Sequence, residues 1–229
     1  MISKRIKTIA SLIEPQESVI DIGCDHCYLL IYLRNNGHQG ALMGTELREG
    51  PFNNALNNLQ AYGYDDIRII QCDGVQAVDE QMQVAVMSGM GYHTVTHIME
   101  NDPAYFENCD RIIIQVNSDV DKLRRWLMEN GYAIIDENII KDYKYYEILT
   151  VTKGEMELTE QQITFGPVLL EKRGEIFDEY YNRQIAKYRK VMDSLSQEHP
   201  DHALLESKIS AMEDLFRQRQ LKSADSWEA

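Results

Sequence analysis

The chain has 229 residues, of which 44% are hydrophobic, and this is enough for one α/β domain with a modest appendage. No stretch approaches the roughly 18 apolar residues that a membrane-spanning helix needs, and the N-terminal residues are not signal-like, so a cytoplasmic protein is expected. The net charge of −14 by itself argues against a nucleic-acid partner, although the basic residues gather in short clusters that could still bind one.

The cysteines lie in apparent strands, turns and helix starts rather than in a loop-rich scaffold. The chain contains four of them: Cys24, Cys27, Cys72 and Cys109. We therefore expect reduced thiols and no disulfide framework.

A first helix is predicted over residues 3 to 13, with Ser3 as its N-cap and Pro15 closing the segment. Its polar face carries the cations Lys4, Arg5 and Lys7. Such a face is either the solvated side of a packed helix or a contact for nucleic acid, and the sequence leaves both readings open.

The next stretch predicts a strand, a tight turn and a helix. The β-favouring residues 19 to 22 run into Gly23, and a segment with helical apolar spacing follows. A glycine at this turn lets the backbone approach a ligand closely. Asp21 and Asp25 flank it, which disfavours a pyrophosphate and suits hydroxyls, an amine or a positive centre.

Three further strands are predicted to end in polar or glycine-rich turns. Residues 40 to 46 end in Glu46, at the position where nucleotide-binding α/β sheets hold ribose hydroxyls. Residues 67 to 72 end at Asp73-Gly74, where a carboxylate could accept a hydrogen bond from an exocyclic amine. The apolar strand 83 to 88 ends at Gly89-Met-Gly91.

The remaining pattern continues to alternate between helix and strand. Further helices are predicted at 26–36, 51–62, 93–100 and 119–130, and further strands at 111–115, 133–139 and 145–151. The last two strands have no helix between them, so one of them is expected to run antiparallel at an edge. The fold class is therefore α/β, a doubly wound and mostly parallel sheet of seven strands.

The pattern changes near the C-terminus, where Phe165-Gly-Pro167 breaks the chain. Two long helices are predicted, at 168–196 and 201–222, forming a helical hairpin or short antiparallel coiled coil. The first of them carries the basic residues Arg183, Lys187, Arg189 and Lys190. We place the domain boundary so that residues 1–155 form the sheet domain and 156–229 the helical hairpin domain.

Acids and glycines recur at the carboxyl ends of successive predicted strands, where open α/β sheets bind their ligand. They are Asp21, Gly23, Asp25, Glu46, Asp73 and Gly89. Each could be a cap or a turn, but together they indicate a nucleoside ligand with a cationic centre.

Three other kinds of site fit this segment less well. A dinucleotide-binding oxidoreductase would need the second and third glycines of G-x-G-x-x-G, which are missing after Gly23. A disulfide oxidoreductase would usually place a proline between Cys24 and Cys27. A zinc site built from these thiols and His26 would need a further ligand. We therefore treat the thiols as incidental.

Several ordered motifs closely resemble the bacterial tRNA (adenine-22-N1)-methyltransferases. They are Ser3-Lys-Arg, Asp21-Ile-Gly-Cys-Asp-His-Cys-Tyr-Leu, Glu49-Gly-Pro-Phe52, Asp73-Gly74, Gly89-Met-Gly91, Gln115-Val-Asn117, Leu123-Arg-Arg-Trp-Leu127 and Tyr146-Glu-Ile-Leu149. The resemblance spans residues 1 to about 152. It implies a Rossmann-like methyltransferase sheet with a C-terminal α-helical hairpin, S-adenosylmethionine as cofactor, tRNA as substrate and N1-methyladenosine as product.

The resemblance also implies roles for individual residues. The cofactor would be held by Asp21, Gly23, Asp25, His26, Tyr28, Glu46, Asp73, Gly74, Gly89 and Met90. Catalytic roles fall to Asp25, Asn117 and Tyr92. The tRNA would be bound by Lys4, Arg5, Lys7, Arg183, Lys187, Arg189 and Lys190. A monomer without a metal or membrane partner is expected.

The sequence departs from the family pattern at a few positions. The family usually has small residues at Cys24 and Cys27, a glycine at Tyr92 and a proline at Val116. Two alternatives stay open: a methyltransferase of a small molecule or protein, and a catalytically silent member that binds cofactor or RNA.

Overall fold

The computed structural model describes residues 2–196 and 198–225. Within them, seven strands form one sheet in the order β3-β2-β1-β4-β5-β7-β6. Their bounds are β1 Val19–Ile22, β2 Leu42–Glu46, β3 Arg68–Gln71, β4 Val84–Met90, β5 Arg111–Val116, β6 Tyr132–Lys141 and β7 Tyr145–Lys153. The predicted doubly wound, mostly parallel sheet is confirmed.

Helices connect the strands and follow the last of them. They are α1 Lys4–Ala10, α2 Tyr28–Asn35, α3 Glu49–Tyr62, α4 Tyr92–Asn101, α5 Pro103–Glu107, α6 Val120–Glu129, α7 Glu160–Phe165, α8 Pro167–Lys172, α9 Glu175–Met192 and α10 Pro200–Asp225. No helix of the described part is long and apolar enough to cross a membrane.

The centre of the sheet is the pair β1 and β4, which run parallel in register from Val19 beside Val84 to Ile22 beside Met87. All four residues of β1 are buried, as expected for a strand covered on both faces. The chain order reverses between these two strands, since β2 and β3 continue on one side and β5 on the other. Ligands of doubly wound sheets bind at the carboxyl ends of strands at such a switch point.

The prediction of an antiparallel strand at the edge is half right. β7 runs antiparallel to both of its neighbours, but it lies between β5 and β6, so the edge strand is β6. A short turn at residues 142–144 reverses the chain, so that β7 runs antiparallel beside β6. On its other side β7 pairs with β5.

The C-terminal prediction of one helix over residues 168–196 is wrong. Its first part is the separate helix α8, and the chain breaks at Arg173 and Gly174 before α9 begins. Arg173 has a φ of +20° and Gly174 is extended, and neither conformation continues a helix. The helices α5 and α7 were also not predicted from the sequence.

The chain divides into two compact units, Met1–Glu171 and Lys172–Ala229. The boundary falls later than the predicted 155/156, because α7 and α8 pack onto the sheet unit. Arg124, which is fully buried, donates to the carbonyls of Ile163 and Thr164 and to the carboxylate of Glu137. In the second unit α9 and α10 contact each other, as a helical hairpin requires.

Candidate active site

The turn after β1 is held in a conformation that favours glycine. Gly23 has a φ of +69°, and a Cβ at this position would lie only 2.4 Å from Cε of Met90. The amides of Gly23 and Cys24 both donate to the carbonyl of Thr45 at the end of β2. These bonds fix the turn beside the neighbouring strand and leave its outer side open to a ligand.

Two non-glycine residues after this turn also have left-handed backbone. Asp25 has a φ of 46° and Cys27, the N-cap of α2, a φ of 62°. Such strain persists where the surroundings enforce it, often at functional sites. Here the amide of Asp25 donates to Oε2 of Glu46 at 3.1 Å, and the amide of Arg48 donates to Oε1 at 3.2 Å. Glu46 therefore ties the turn after β1 to the end of β2.

Asp21 is a buried carboxyl at the base of the site, with 7% of its surface exposed. Burial raises its pKa from 3.8 to about 7, since desolvation penalises the charged form. The positive charge of Arg5 lowers this pKa, and the negative charge of Glu46 raises it. A cationic ligand group beside Asp21 would favour the carboxylate in the same way that Arg5 does.

A cavity of about 350 Å³ opens above these residues. Its lining brings together most of the residues predicted for the cofactor with part of α1. It is lined by Arg5, Ile6, Ile9, Asp21, Gly23, Cys24, Asp25, His26, Tyr28, Leu29, Ser88, Gly89, Met90 and Asn117. The volume is within the range of small-molecule sites in proteins.

The opposite wall of the cavity is the end of β4. The β4–β5 register shifts between Ser88 and Met90, and Gly89 has a φ of +84°. A bulge of this kind re-aims the backbone next to a site. Asn117, just beyond β5, fastens it: its side-chain amide donates to the Gly89 carbonyl at 2.6 Å, and its backbone amide donates to the Met90 carbonyl at 2.9 Å.

Arg5 lies in this cavity, although the sequence placed it with Lys4 and Lys7 on a polar helix face. Its Nη1 donates to Oε1 of Gln115 at 2.9 Å, and its guanidinium lies 5.3 Å from the ring centroid of Tyr146. The sequence carried a signal for this placement, because Arg5 adjoins the buried face of α1 that Ile9 defines.

Two aromatic residues stand at the mouth of the cavity. The rings of His26 and Tyr28 are stacked with centroids 5.2 Å apart, and 43% of Tyr28 is exposed. Tyr92 begins α4, packs against the main core and does not line the cavity. Its ring contacts that of His93.

Three other predicted cofactor residues lie outside the cavity lining. Glu46 ends β2, and Asp73 and Gly74 follow the adjacent strand β3. Gly74 has a φ of +56°, and a Cβ there would lie 2.9 Å from a side-chain carbon of Ile98. These residues thus continue the ligand edge of the sheet from β1 toward β3, away from β4.

The thiols of the site are shielded. All four cysteines are free, and Cys24 and Cys27 are buried. A hydrogen bond with Cys27 and then burial raise the pKa of Cys24 far above its usual range, so its thiol stays protonated. Within residues 2–196 and 198–225, no group of three or more His, Cys, Asp or Glu residues is placed to hold a metal ion.

The remaining basic residues predicted to bind tRNA are exposed. Lys4 and Lys7 lie on the outer side of α1. In the second unit Arg183, Lys187, Arg189 and Lys190 are exposed on α9. Arg189 forms an ion pair with Glu213 of α10, which ties one of these cations within the hairpin.

This geometry suits a nucleoside with a cationic group. Glu46 has two backbone donors and keeps free lone pairs for hydroxyls, since an ionised carboxylate has about four acceptor sites. Asp21 and Asp25 offer negative charge to an amine or a positive centre. Gly23 lines the same cavity and adds no side chain to it.

Sequence comparisons find known proteins that are similar to this chain. The family model for tRNA (adenine(22)-N(1))-methyltransferase matches residues 19–214. The tRNA (adenine(22)-N(1))-methyltransferase of Bacillus subtilis is 29% identical over 206 residues, which cover 86% of each chain.

Solved structures show the same likeness. Sp1610 of Streptococcus pneumoniae in complex with S-adenosyl-L-methionine is 31% identical with a TM-score of 0.86, covering 94% of this chain and 99% of that one. TrmK of M. capricolum in complex with S-adenosyl-homocysteine is 25% identical with a TM-score of 0.80, covering 93% and 97%.

Proposed function

Because the chain belongs to the tRNA (adenine(22)-N(1))-methyltransferase family, we propose that it transfers the methyl group of S-adenosylmethionine to N1 of adenine 22 in tRNA. The observation that carries this proposal is the acid-lined cavity at the switch point between β1 and β4, with Glu46 beside it. That arrangement fits a cofactor that joins a nucleoside to a cationic amino acid.

The residues of the cavity fit this cofactor. Glu46 would accept hydrogen bonds from the ribose hydroxyls, and Asp73 from the adenine amine. Asp21 and the backbone from Gly23 to Asp25 would hold the methionine end. When bound, S-adenosylmethionine supplies an electrophilic methyl group on its positively charged sulfur.

The chain's part in the chemistry is mainly positioning and electrostatics. N1 of adenine carries a lone pair, so no strong base is needed to create the nucleophile. Methylation leaves a positive charge on the base. Asp25 is exposed at the cavity and its carboxylate would stabilise this charge, while Asn117, whose amide is fixed on the Gly89 carbonyl, would orient the base.

The target adenine must leave its stack to expose N1. A nucleotide turned outward can stack on an aromatic ring at the mouth of a site. Tyr28 is partly exposed there and its neighbour His26 supports the ring. Tyr92 lies outside the cavity lining, so Tyr28 is the better placed of the two tyrosines for this stacking contact.

The tRNA would contact α1 and the helical hairpin. Binding that uses phosphate contacts weakens as salt rises, even for an acidic protein, because counterions are released from the RNA. Replacing Arg183, Lys187, Arg189 and Lys190 together by alanine should weaken tRNA affinity and flatten its salt dependence. Unchanged affinity and salt dependence would remove the hairpin from tRNA binding. We further propose that the enzyme is a cytoplasmic monomer.

The proposal is tested by methyl transfer from labelled S-adenosylmethionine to an unmodified tRNA transcript. A matched transcript with guanine at position 22 is the control. Uptake of label by the adenine-22 transcript alone supports the proposal, and equal uptake by both would place the methyl group elsewhere. Tight cofactor binding without any uptake would instead identify a silent member.

A further inference from the structure

We propose that the β6–β7 hairpin tip, residues 142–144, and Arg5 form a binding site for the RNA strand next to the target adenine. In this site Lys144 and Arg5 bind a flanking phosphate, and Tyr143 stacks on a neighbouring base. The inference rests on the proposed function, and it assigns the contacts that present the nucleotide to the cavity.

The first observation is a pair of cations around one ring. Nζ of Lys144 lies 5.2 Å from the ring centroid of Tyr146, and Cζ of Arg5 lies 5.3 Å from the same centroid. Lys144 also donates to Oδ1 of Asn117 at 3.4 Å, and Asn117 lines the cavity. Two positive groups are therefore held within reach of the cavity rim by one aromatic ring.

The second observation is that the tip is joined to α1, which carries Arg5. The amide of Lys4 donates to Oδ2 of Asp142 at 2.8 Å, so the one carboxylate of the tip is already engaged by the start of α1. The Asp142 amide in turn donates to the Lys144 carbonyl at 2.9 Å, which closes the turn. These bonds place Lys144 and Arg5 on neighbouring elements at one edge of the site.

The third observation is the division of charge across the site. Asp21 and Asp25 lie on the β1 side of the cavity and would repel a phosphate, as would Glu46 beyond them. Arg5 and Lys144 lie toward β5 and β7, beside Gln115 and Asn117, and would attract one. The acids that would hold the methionine end of the cofactor and the Lys144 amine that would meet the RNA backbone therefore lie on different sides of the site, while Arg5 lines the same cavity as Asp21.

The fourth observation is Tyr143, which is 95% exposed at the tip of the turn. A large aromatic side chain in water gains by stacking on a base, and base–aromatic stacking tolerates any base identity. An exposed tyrosine beside a lysine is a pairing suited to single-stranded RNA, where the ring meets a base and the amine meets its phosphate. This favours RNA over a protein partner for the tip.

The test compares Lys144→Gln with Lys141→Gln. Lys141 lies over the ring of Tyr145, whereas Lys144 lies over the ring of Tyr146. Because successive residues of a strand face opposite sides of a sheet, the two lysines lie on opposite faces of the same hairpin. We expect Lys144→Gln to lower kcat/KM for tRNA about tenfold. The slope of log affinity against log salt concentration should also become shallower by about the amount that one phosphate contact contributes. We expect Lys141→Gln to behave as wild type.

A modified substrate identifies the phosphate. The tRNA is assembled with an uncharged methylphosphonate on the 5′ or the 3′ side of adenine 22. At one of these two positions wild type and Lys144→Gln should then have the same kcat/KM, because the charge that Lys144 contacts has been removed. The affinity for S-adenosylmethionine alone should be unchanged in Lys144→Gln. Three results would each overturn the phosphate contact. They are a parallel loss of cofactor affinity in Lys144→Gln, an unchanged salt dependence of its tRNA binding, and effects of the substitution and the methylphosphonate that add fully at both positions.

The stacking contact is tested by Tyr143→Ala and Tyr143→Phe. We expect the alanine variant to bind tRNA about tenfold more weakly and the phenylalanine variant to bind it normally. Tyr62→Ala is the control, since Tyr62 is an exposed tyrosine at the C-terminal end of α3, far from the carboxyl ends of the strands. Equal tRNA binding by Tyr143→Ala and wild type would overturn the stacking contact.

The two proposals fail in different ways. Wild-type protein that leaves tRNA unmethylated overturns the proposed function, and direct tRNA titration of the same variants then still decides the contacts of the hairpin tip. Normal methylation by wild type together with normal kinetics of Lys144→Gln and Tyr143→Ala overturns this inference alone.

Discussion

Asp21→Asn is expected to stabilise the unliganded protein at alkaline pH and, at the same pH, to weaken the binding of S-adenosylmethionine. The reason is that the carboxyl group is buried at the base of the cavity and burial raises its pKa to about 7. Asparagine has nearly the same shape but carries no charge to desolvate. The substitution therefore removes an electrostatic cost of folding together with the negative charge that a cationic ligand needs.

The magnitude follows from the two pKa values. Below pH 3.8 the carboxyl is protonated in both the folded and the unfolded chain, and it adds no pH dependence. Between pH 3.8 and about 7 only the unfolded chain loses the proton, so wild-type stability falls with rising pH. The interval is about three pH units at 1.36 kcal/mol each, so the cost of this group above pH 7 is about 4 kcal/mol.

The assay is chemical denaturation of wild type and Asp21→Asn from pH 5 to pH 8. The difference in the free energy of unfolding between the two proteins should grow with pH and level off above about 7. Asp79→Asn is the control: Asp79 is exposed, and its hydrogen bond with Arg68 lowers its pKa, so this substitution should lower the free energy of unfolding slightly and by the same amount at every pH from 5 to 8. A stability difference for Asp21→Asn that does not vary with pH would refute the reasoning.

Cofactor titration supplies the second half of the prediction. Wild-type affinity for S-adenosylmethionine should fall as the pH drops below about 7, because a cationic group then binds only if Asp21 loses its proton. Asp21→Asn should bind about tenfold or more weakly at pH 8 and lose this pH dependence. Equal affinities at pH 8 would show that Asp21 does not face the amino group.

Three further substitutions test the packing and the cofactor wall. Gly23→Ala and Gly37→Ala should each lower the free energy of unfolding by about 1 kcal/mol or more, since both positions have positive φ and the methyl group that a Cβ at Gly23 would meet ends the flexible side chain of Met90. Urea denaturation of the pair measures both losses, and an unchanged midpoint in either variant would contradict this. Arg124→Ala should cost about 3–5 kcal/mol by removing the cation that two buried carboxylates share, whereas Arg125→Ala at an exposed ion pair should change the stability little. Similar denaturation midpoints of the two variants would argue against this. Glu46→Ala should weaken S-adenosylmethionine binding about tenfold to a hundredfold by calorimetry, and unchanged affinity would exclude it from the cofactor wall.

The sheet was predictable because its strands are marked locally. The residues from Val19 to Ile22 are all apolar or buried, and the strand begins and ends as the sequence predicts. Glu46 ends its strand and Asp73 lies just after the next one, and parallel strands bring such ends to one edge. The ligand edge of the sheet could therefore be placed from the sequence alone.

Features that depend on contacts between distant parts of the chain could not be predicted from the sequence. The position of β7 between β5 and β6 is set by partners far along the chain, and no local pattern encodes it. The break at Arg173 lies within a helical apolar pattern, and tertiary packing of α8 on Glu137 overrides that pattern. The sequence places Arg5 on the polar face of α1 but does not show that its side chain enters the cavity, because a long side chain can turn toward either side of the helix.

The basic hairpin tip shows the same limit most clearly. Lys144 and Tyr143 are ordinary turn residues in the sequence, and neither belongs to a motif. They gain a functional meaning only when the antiparallel pairing of β6 and β7 carries the turn to Asn117 at the end of β5. The part of the site that would meet RNA was therefore less predictable than the part that would hold the cofactor.

The most direct test of the central claim is nucleoside mass spectrometry of unmodified tRNA incubated with the protein and S-adenosylmethionine. We expect 1-methyladenosine, formed at one residue per tRNA and absent from a transcript with guanine at position 22. The appearance of another methylated nucleoside, or of none while the cofactor binds, would contradict the claim.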